Sequence, residues 1–317
     1  MSACGPRHQQ QGLALITAVL VVAIVATVAT TLALGEQVWF RQAQNMSNRA
    51  QAESLRRGAL NFAAILLARD QNQTDHLGEP WAKPLPPLPV EDGMLTFAVA
   101  DAQGLFNLNN LVRNGQPSTA DIAIFQRLLT AQGIDPGLSE ALRDWLDPDG
   151  TVSPGGAEDI EYLSLPQPYR SANQPLQSVD ELRLVKGFTA KAVKDLRPYV
   201  TALPVPTTVN VNTAPVQVLA ALTNLSASVL QPVLDSRVNQ SFADTAKFLA
   251  QLPAGTTCPA NLCDVKTGYF LVTIDIRYGR LQRRTEALIE RTSGKPATVL
   301  WHRLPPLQFE MNPDEKT

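Results

Sequence analysis

Three cysteines and three histidines, scattered over 317 residues, leave no room for a multi-ligand Cys/His metal centre. Basic surplus is lacking too. The formal net charge is −2, so the electrostatic footprint of a nucleic-acid binder is missing. Aromatic residues make up only 6% of the chain, and its 24 prolines cluster outside the apolar runs, where they punctuate loops. No GxSxG, HExxH or P-loop occurs, and Gly294-Lys295 has no matching glycine upstream. His76 and His302 are far apart in sequence. A hydrolase could borrow acidic pairs from the chain, but no nucleophile accompanies them.

What is present begins with a charge-free run, Leu13 to Leu34. At about 22 residues it reaches the roughly 20 that a helix needs to cross a bilayer core. Arg7 precedes it, and Arg41, Arg49 and Arg56–Arg57 follow, so counting positive charges does not settle orientation. The run is too long for an ordinary secretory h-region, and no small-x-small cleavage site precedes a polar mature start. A lipoprotein leader at Cys4 fails because no apolar segment precedes that cysteine.

Beyond Leu34 the pattern turns amphipathic. Ala43, Met46, Ala50, Ala59, Phe62, Ala63 and Leu66 recur at roughly helical spacing, with Arg49, Glu53, Arg56 and Arg57 between them. One helix from Leu13 to about Arg69 is expected, half anchor and half spine of a head. The proline-rich Pro80–Pro89 ends it as an extended loop. Alternation at Leu95, Phe97 and Val99, and again at Phe270, Val272, Ile274 and Ile276, predicts strands. Leu281–Glu290 and Thr298–Trp301 read as further strands of an antiparallel meander. Between the two strand regions the texture is helical: 121–130, 138–145, 178–184, 190–197, 215–222, 226–238 and 242–252. Phe106-Asn107-Leu108-Asn109 and Val209-Asn210-Val211-Asn212 each precede a helical block. This echo reads either as coincidence of a common strand-to-cap pattern or as two related helical units.

The chain resembles a known family in two places. The short polar leader MSACGPRHQQQG, ending at Gly12 before the apolar run, is similar to a type IV prepilin leader. The segments GLFNLNNL, DWLDPDG, GAEDIEYL, PYRSANQPLQSVDELRLVKGF, RPYVTALP and VNVNTAPVQVLAAL, in that order, resemble the minor pseudopilin K family of type II secretion systems. The resemblance runs from Gly12 to about Arg303. It implies an α+β fold in which a pilin-like long N-terminal helix packs on a small antiparallel sheet, with a large all-helical domain inserted in the head. The organisation expected is a cleaved leader (1–12), a transmembrane helix (13–34) and a periplasmic spine (35–70). A first part of the head (71–110), the inserted domain (111–265), C-terminal strands (266–304) and a polar tail (305–317) follow.

The resemblance also implies a function: a structural subunit, not an enzyme, at the tip of the periplasmic pseudopilus, supporting export of folded proteins across the outer membrane. A prepilin peptidase would cut between Gly12 and Leu13. The usual Glu at the fifth mature position is replaced by Thr17, a departure characteristic of subunit K. The implied partners are minor pseudopilins I and J, with H and the major pseudopilin beyond them, and inner-membrane lipid. Nucleic acid is not among them. The implied location is the inner membrane, single-pass, with a periplasmic head. The alternative reading is a membrane-anchored periplasmic binding module unrelated to secretion; helical hairpins of this kind also occur in DNA-binding folds, but the charge balance argues against that use.

The richest acidic segment is DWLDPDGTVSPGGAEDIE, Asp144 to Glu161. Asp147, Asp149 and Glu158 are spaced like positions 1, 3 and 12 of an EF-hand loop, but Val152 stands where that loop needs its turn glycine. The segment therefore reads as a solvated acidic loop or as a Ca²⁺ loop outside the EF-hand class, and the family resemblance favours Ca²⁺ in the inserted domain. Expected ligands are Asp147, Asp149, Glu158 and Asp159, with backbone carbonyls completing the shell. Once the leader and Cys4 are removed, Cys258 and Cys263 remain as a pair expected to form a disulfide in an oxidising compartment.

Overall fold

The computed structural model describes residues 9–70, 73–259 and 261–305. It starts with one unbroken helix, α1 (Gln9–Arg69), of 61 residues, on the order of 90 Å long at 1.5 Å per residue. Thr17, Thr27, Thr30 and Thr31 lie in its apolar stretch, and each returns its hydroxyl to a carbonyl three or four residues back. Their polar groups are thus satisfied within the helix. The head covers only the C-terminal part of α1. The buried stripe is Ala52, Ala59, Leu60, Ala63 and Leu67, whose small residues let the helix lie close on a sheet. This corrects the face read from periodicity. Ala43, Met46 and Ala50 are exposed and Phe62 is half-exposed: the first two precede the point at Asn48 where the head reaches α1, Ala50 lies on the face turned away from the head, and Phe62 meets Phe97 edge to face.

After α1 come the short β1 (Leu88–Val90), set in the proline-rich segment expected to be loop, and β2 (Gly93–Asp101). The inserted domain then opens at Ala102, earlier than the boundary at 111, since Phe106, Leu108 and Leu111 belong to its core. Its first unit runs through β3 (Phe106–Asn107), the hairpin of β4 (Val112–Arg113) and β5 (Gln116–Pro117), and helices α2 (Thr119–Ala131), α3 (Leu138–Leu146), α4 (Asp159–Leu163) and α5 (Ala190–Leu196), ending on β6 (Val200–Thr201). The second comprises β7 (Val209–Asn210), α6 (Val216–Thr223), α7 (Ala227–Asn239), α8 (Thr245–Leu249) and β8 (Cys263–Asp264). Residues 178–184, expected as α-helix, form a 3₁₀ segment, Val179–Leu184. The helix expected over 242–252 shortens to α8, which Asp244 caps through Lys247 N–H.

The two units repeat one device. In the first, β3 pairs in parallel with β6; in the second, β7 pairs in parallel with β8. Asn107 Oδ1 accepts the Asn109 amide, as Asn210 Oδ1 accepts the Asn212 amide. The second asparagine of each motif then exchanges two hydrogen bonds with the backbone N–H and C=O of one distant residue. Asn109 does so with Leu176, at 2.8 and 2.9 Å, and Asn212 with Phe242, at 2.8 and 3.0 Å. Two residues on, Ser178 and Asp244 each cap the next helical segment. The units differ in two places. The acidic loop separates α3 from Leu176 in the first, and the second returns to its strand through the Cys258–Cys263 disulfide, without a counterpart of α5.

The chain comes back to the head in β9 (Tyr269–Tyr278), β10 (Leu281–Glu290) and β11 (Thr298–Arg303). The five-stranded sheet has the order β1-β2-β9-β10-β11 and is antiparallel throughout. Leu95, Phe97, Val99, Val272, Ile274, Ile276 and Ile289 form with α1 one core, separate from that of the inserted units. Asp101 pairs with Phe270 in the register of β2 and β9, so the insert leaves and rejoins the head at neighbouring positions. Gly279, at φ +54°, turns the β9–β10 hairpin against Asn48 of α1.

Candidate functional site

The acidic loop is built by two helix ends. Asp144 lies in the last turn of α3, on the face that carries Ala141 and Trp145 into the core, and is fully buried. Its Oδ2 accepts Ser153 N–H at 2.9 Å, and Arg143 reaches Oδ1 at 3.2 Å. Asp147 caps the end of α3, and Glu158 stands at the N-cap of α4; both are buried. Behind them Trp145, Tyr162 and Tyr169 pack ring on ring at 5.1–6.3 Å. Asp149 is exposed at the rim, with Oδ1 accepting Thr151 N–H at 2.7 Å.

Electrostatically the site is short of positive charge at Asp147 and Glu158, since Arg143 is taken by Glu140 and Asp144. Asp147 Oδ1 and Glu158 Oε1 are buried without a hydrogen-bond partner among the described residues. Burial, with the negative charges of Asp149 and Asp144, pushes the Asp147 carboxyl up to about 6. Burial raises Glu158 as well, against the Ser171 hydroxyl that donates to its Oε2 at 3.0 Å, and the charges of Asp144, Asp147 and Asp149 add to the rise. The charges of these four carboxylates thus act on one another, with Arg143 held by Glu140 and Asp144, and with Lys186 donating to Gly156 O at 3.3 Å. Orphaned hard oxygens in a loop rich in Gly and Pro fit a Ca²⁺ ion. No histidine or cysteine stands among these groups.

Of the residues singled out from sequence, the fold brings Asp147, Asp149 and Glu158 together. Asp159 is engaged elsewhere: Oδ1 takes Ser171 N–H and Oδ2 pairs with Arg170, both at 3.0 Å. Asp144 was not among them, although an acid on the apolar side of α3 was a visible signal. Gly156 shows how closely the loop folds over it. A Cβ there would stand 1.9 Å from Asp144 Oδ2. Gly156→Ala should therefore cost about 1–3 kcal/mol, the usual range for overpacking, read as a lowered denaturant midpoint at unchanged m-value. A neutral substitution would mean that the loop can lift off Asp144.

Among the described residues, a different carboxylate group, Asp70, Asp75 and Glu79, is the one that brings an oxygen from each member within 4.8 Å of the others. There the cation is already supplied by Arg291, which pairs with Asp70 at 2.6 Å and Asp75 at 2.5 Å. Of the remaining expected sites, Cys258 and Cys263 are joined as a disulfide. Gly12 and Leu13 both lie within α1, and Thr17 is exposed on it. Cys4 and residues 306–317 of the tail fall outside the described residues. Among the described residues one helix is long and apolar enough to cross a membrane.

Comparison with known proteins bears on the whole chain. A family model described as type II secretion system, protein K, matches residues 104–205, and a second of the same description matches 209–262. These are the two units of the insert. The type II secretion system protein K of Pseudomonas aeruginosa is 36% identical over 310 residues, 92% of each chain. That of Klebsiella pneumoniae is 33% identical over 318 residues, 93% of this chain and 97% of its own. Among solved structures, a chain in the crystal structure of the GspK-GspI-GspJ complex from the enterotoxigenic Escherichia coli type 2 secretion system superposes with a TM-score of 0.73 at 28% identity. The match covers 84% of this chain and all of that one.

Proposed function

From the premise that this chain belongs to the type II secretion system protein K family, and is thus a minor pseudopilin of that system, we propose that it caps the tip of the pseudopilus. In this reading α1 anchors it in the inner membrane with a single span, and the head stands in the periplasm. Prepilin peptidase releases it by cutting between Gly12 and Leu13. Subunits I and J bind it, as the likeness to the GspK-GspI-GspJ complex supports, and H and the major pseudopilin follow below. Its role is structural, not enzymatic.

The observation that carries tip placement is the insert. Two helical units project from adjacent positions of β2 and β9. Stacked within a repeating shaft they would collide with the head above; at an open end they meet no such neighbour. Thr17 agrees. A charged pair in lipid is worth forming because an isolated charge there is costly, and the first subunit has no predecessor with which to form one.

Calcium belongs to the same proposal. Asp147, Asp149 and Glu158 would hold the ion, with backbone carbonyls completing the shell; Asp144, already taken by Arg143 and Ser153 N–H, would brace the loop. The protein's own part is to fix the loop between α3 and α4 and to shield it with the Trp145–Tyr162–Tyr169 wall.

The test is a purification of the complex with I and J, together with labelling of the filament. Stoichiometric binding to I and J and one label at a filament end are expected. Regular labels along the shaft would reject tip placement. Processing is checked separately. Edman sequencing should begin at Leu13, and Gly12→Val should leave Met1 in place.

A further inference from the structure

Just past the apolar run, α1 carries three consecutive bulky residues that the head leaves uncovered. Val38, Trp39 and Phe40 are 55%, 75% and 70% exposed. Residues 36–47 are all exposed, and the stripe that packs on the head begins only at Ala52. Head packing therefore does not account for the three side chains.

Their angular spread matters as much as their exposure. At about 100° per residue, three successive side chains cover about 200° of the helix circumference. A neighbouring helix usually takes a stripe of about 100°. A wider ring suits a surrounding medium. Their height is also specific. Gly35, Glu36 and Gln37 separate the ring from Leu34, so with Glu36 at the edge of the hydrocarbon Trp39 stands about 4–5 Å and Phe40 about 6 Å beyond that edge. The polar layer of a bilayer is about 5–8 Å thick on each side. Tryptophan is favoured at that level, because its ring is apolar while its indole N–H still needs a hydrogen-bond acceptor. Arg41 follows directly and can extend its charged end to phosphates.

We propose that Val38, Trp39 and Phe40, with Arg41 behind them, form an interfacial belt in the headgroup layer of the periplasmic leaflet, and that this belt sets the depth of the spine before the subunit joins a filament. The proposal rests on the reading that α1 spans the inner membrane. Glu36 is placed at the boundary of the hydrocarbon, just below the belt. The bare stretch up to Asn48 then spaces the head from the lipid surface.

The experiment uses the full chain in nanodiscs of phosphatidylethanolamine and phosphatidylglycerol, brominated either near the carbonyl end or near the methyl end of the acyl chains. The difference between the parent and Trp39→Phe isolates the emission of Trp39 from that of Trp81, Trp145 and Trp301. Trp39 should be quenched about twofold more by the shallow bromines, as an interfacial indole is. Val25→Trp, introduced into Trp39→Phe, reports the middle of the span and should favour the deep bromines. Adding Phe40→Ser and Val38→Ser to that reporter should shift its preference toward shallower bromines. If the reporter is quenched from deep in the bilayer but Trp39 from neither depth, the span stands and the belt is wrong, with a protein partner as occupant of that ring. If neither is quenched, the spanning reading falls and the belt with it. An unshifted reporter in the serine variant would also overturn the depth-setting role.

Discussion

Arg291→Ala should cost the fold about 3–5 kcal/mol, as expected when one partner of a buried ion pair is removed, and the loss should grow with pH. Arg291 follows β10 and is mostly buried, with its guanidinium on Asp70 and Asp75, a further bond to Thr267 O at 2.9 Å, and Phe270 beneath it at 4.8 Å. It thereby ties the end of α1 to the sheet at the point where the insert rejoins the head. Truncation leaves carboxylates buried without their cation. In the parent, burial already holds Asp75 at about 6, although Thr267 N–H and Arg291 pull it down. A carboxyl raised in the native state binds its proton more tightly there than in the unfolded chain. Its contribution therefore becomes more favourable as pH falls through about 6 and is lost as pH rises. Burial raises Asp101 too, and it acts in the same direction. Without Arg291 the rise at Asp75 increases, so denaturation of Arg291→Ala should show a larger deficit at pH 8 than at pH 5. Arg291→Met combined with Asp75→Asn should recover part of the loss, since the stranded charge is then gone. A small deficit, equal at both pH values, would mean that water reaches the cluster.

Removing calcium should lower the melting temperature by about 5–10 °C from a starting point of free ion near 100 times its dissociation constant. Binding to the native state alone contributes about 2.7 kcal/mol at that ratio, and each kcal/mol moves the midpoint by about 2–4 °C in a domain of this size. The sharper expectation is a crossing. Asp147→Asn removes one of the mutually repelling carboxylates, so without metal it should melt above the parent. With calcium the order should reverse, because the variant has lost a ligand charge. Asp159→Asn should keep most of the calcium response, as its oxygens serve Arg170 and Ser171. Melting curves of the full chain with chelator and with calcium decide it. If chelator leaves the parent unchanged, the loop is a solvated acidic turn.

The sequence by itself determined whatever depends on neighbours along the chain. The apolar run marks the stretch of α1 long and apolar enough to cross a membrane. Alternation at Leu95, Phe97 and Val99 marks β2, and that at Phe270 to Ile276 marks β9. Ser178 stands at a helical start, because a cap and the amide it satisfies lie within three residues, whereas the start at Asp244, two residues past the expected 242, emerged only in the structure. The ordered motifs of the insert pointed to the family on the same local basis. The tertiary structure alone decided what depends on distant meetings. Which stripe of α1 is buried follows from where the head ends, so Met46, apolar and correctly spaced, stays exposed. Asp144 joins the acidic loop because α3 and the turn at Gly156 close over one another. Asn109 and Asn212 look alike in the sequence, but the peptides they hold, at Leu176 and Phe242, lie 67 and 30 residues away. Arg291 meets Asp75 across 216 residues. Such pairings carry no local periodicity. The asparagine pairings follow from how each helical unit closes on itself, and the Arg291–Asp75 pair from β2 and β9 lying side by side with the whole insert between them.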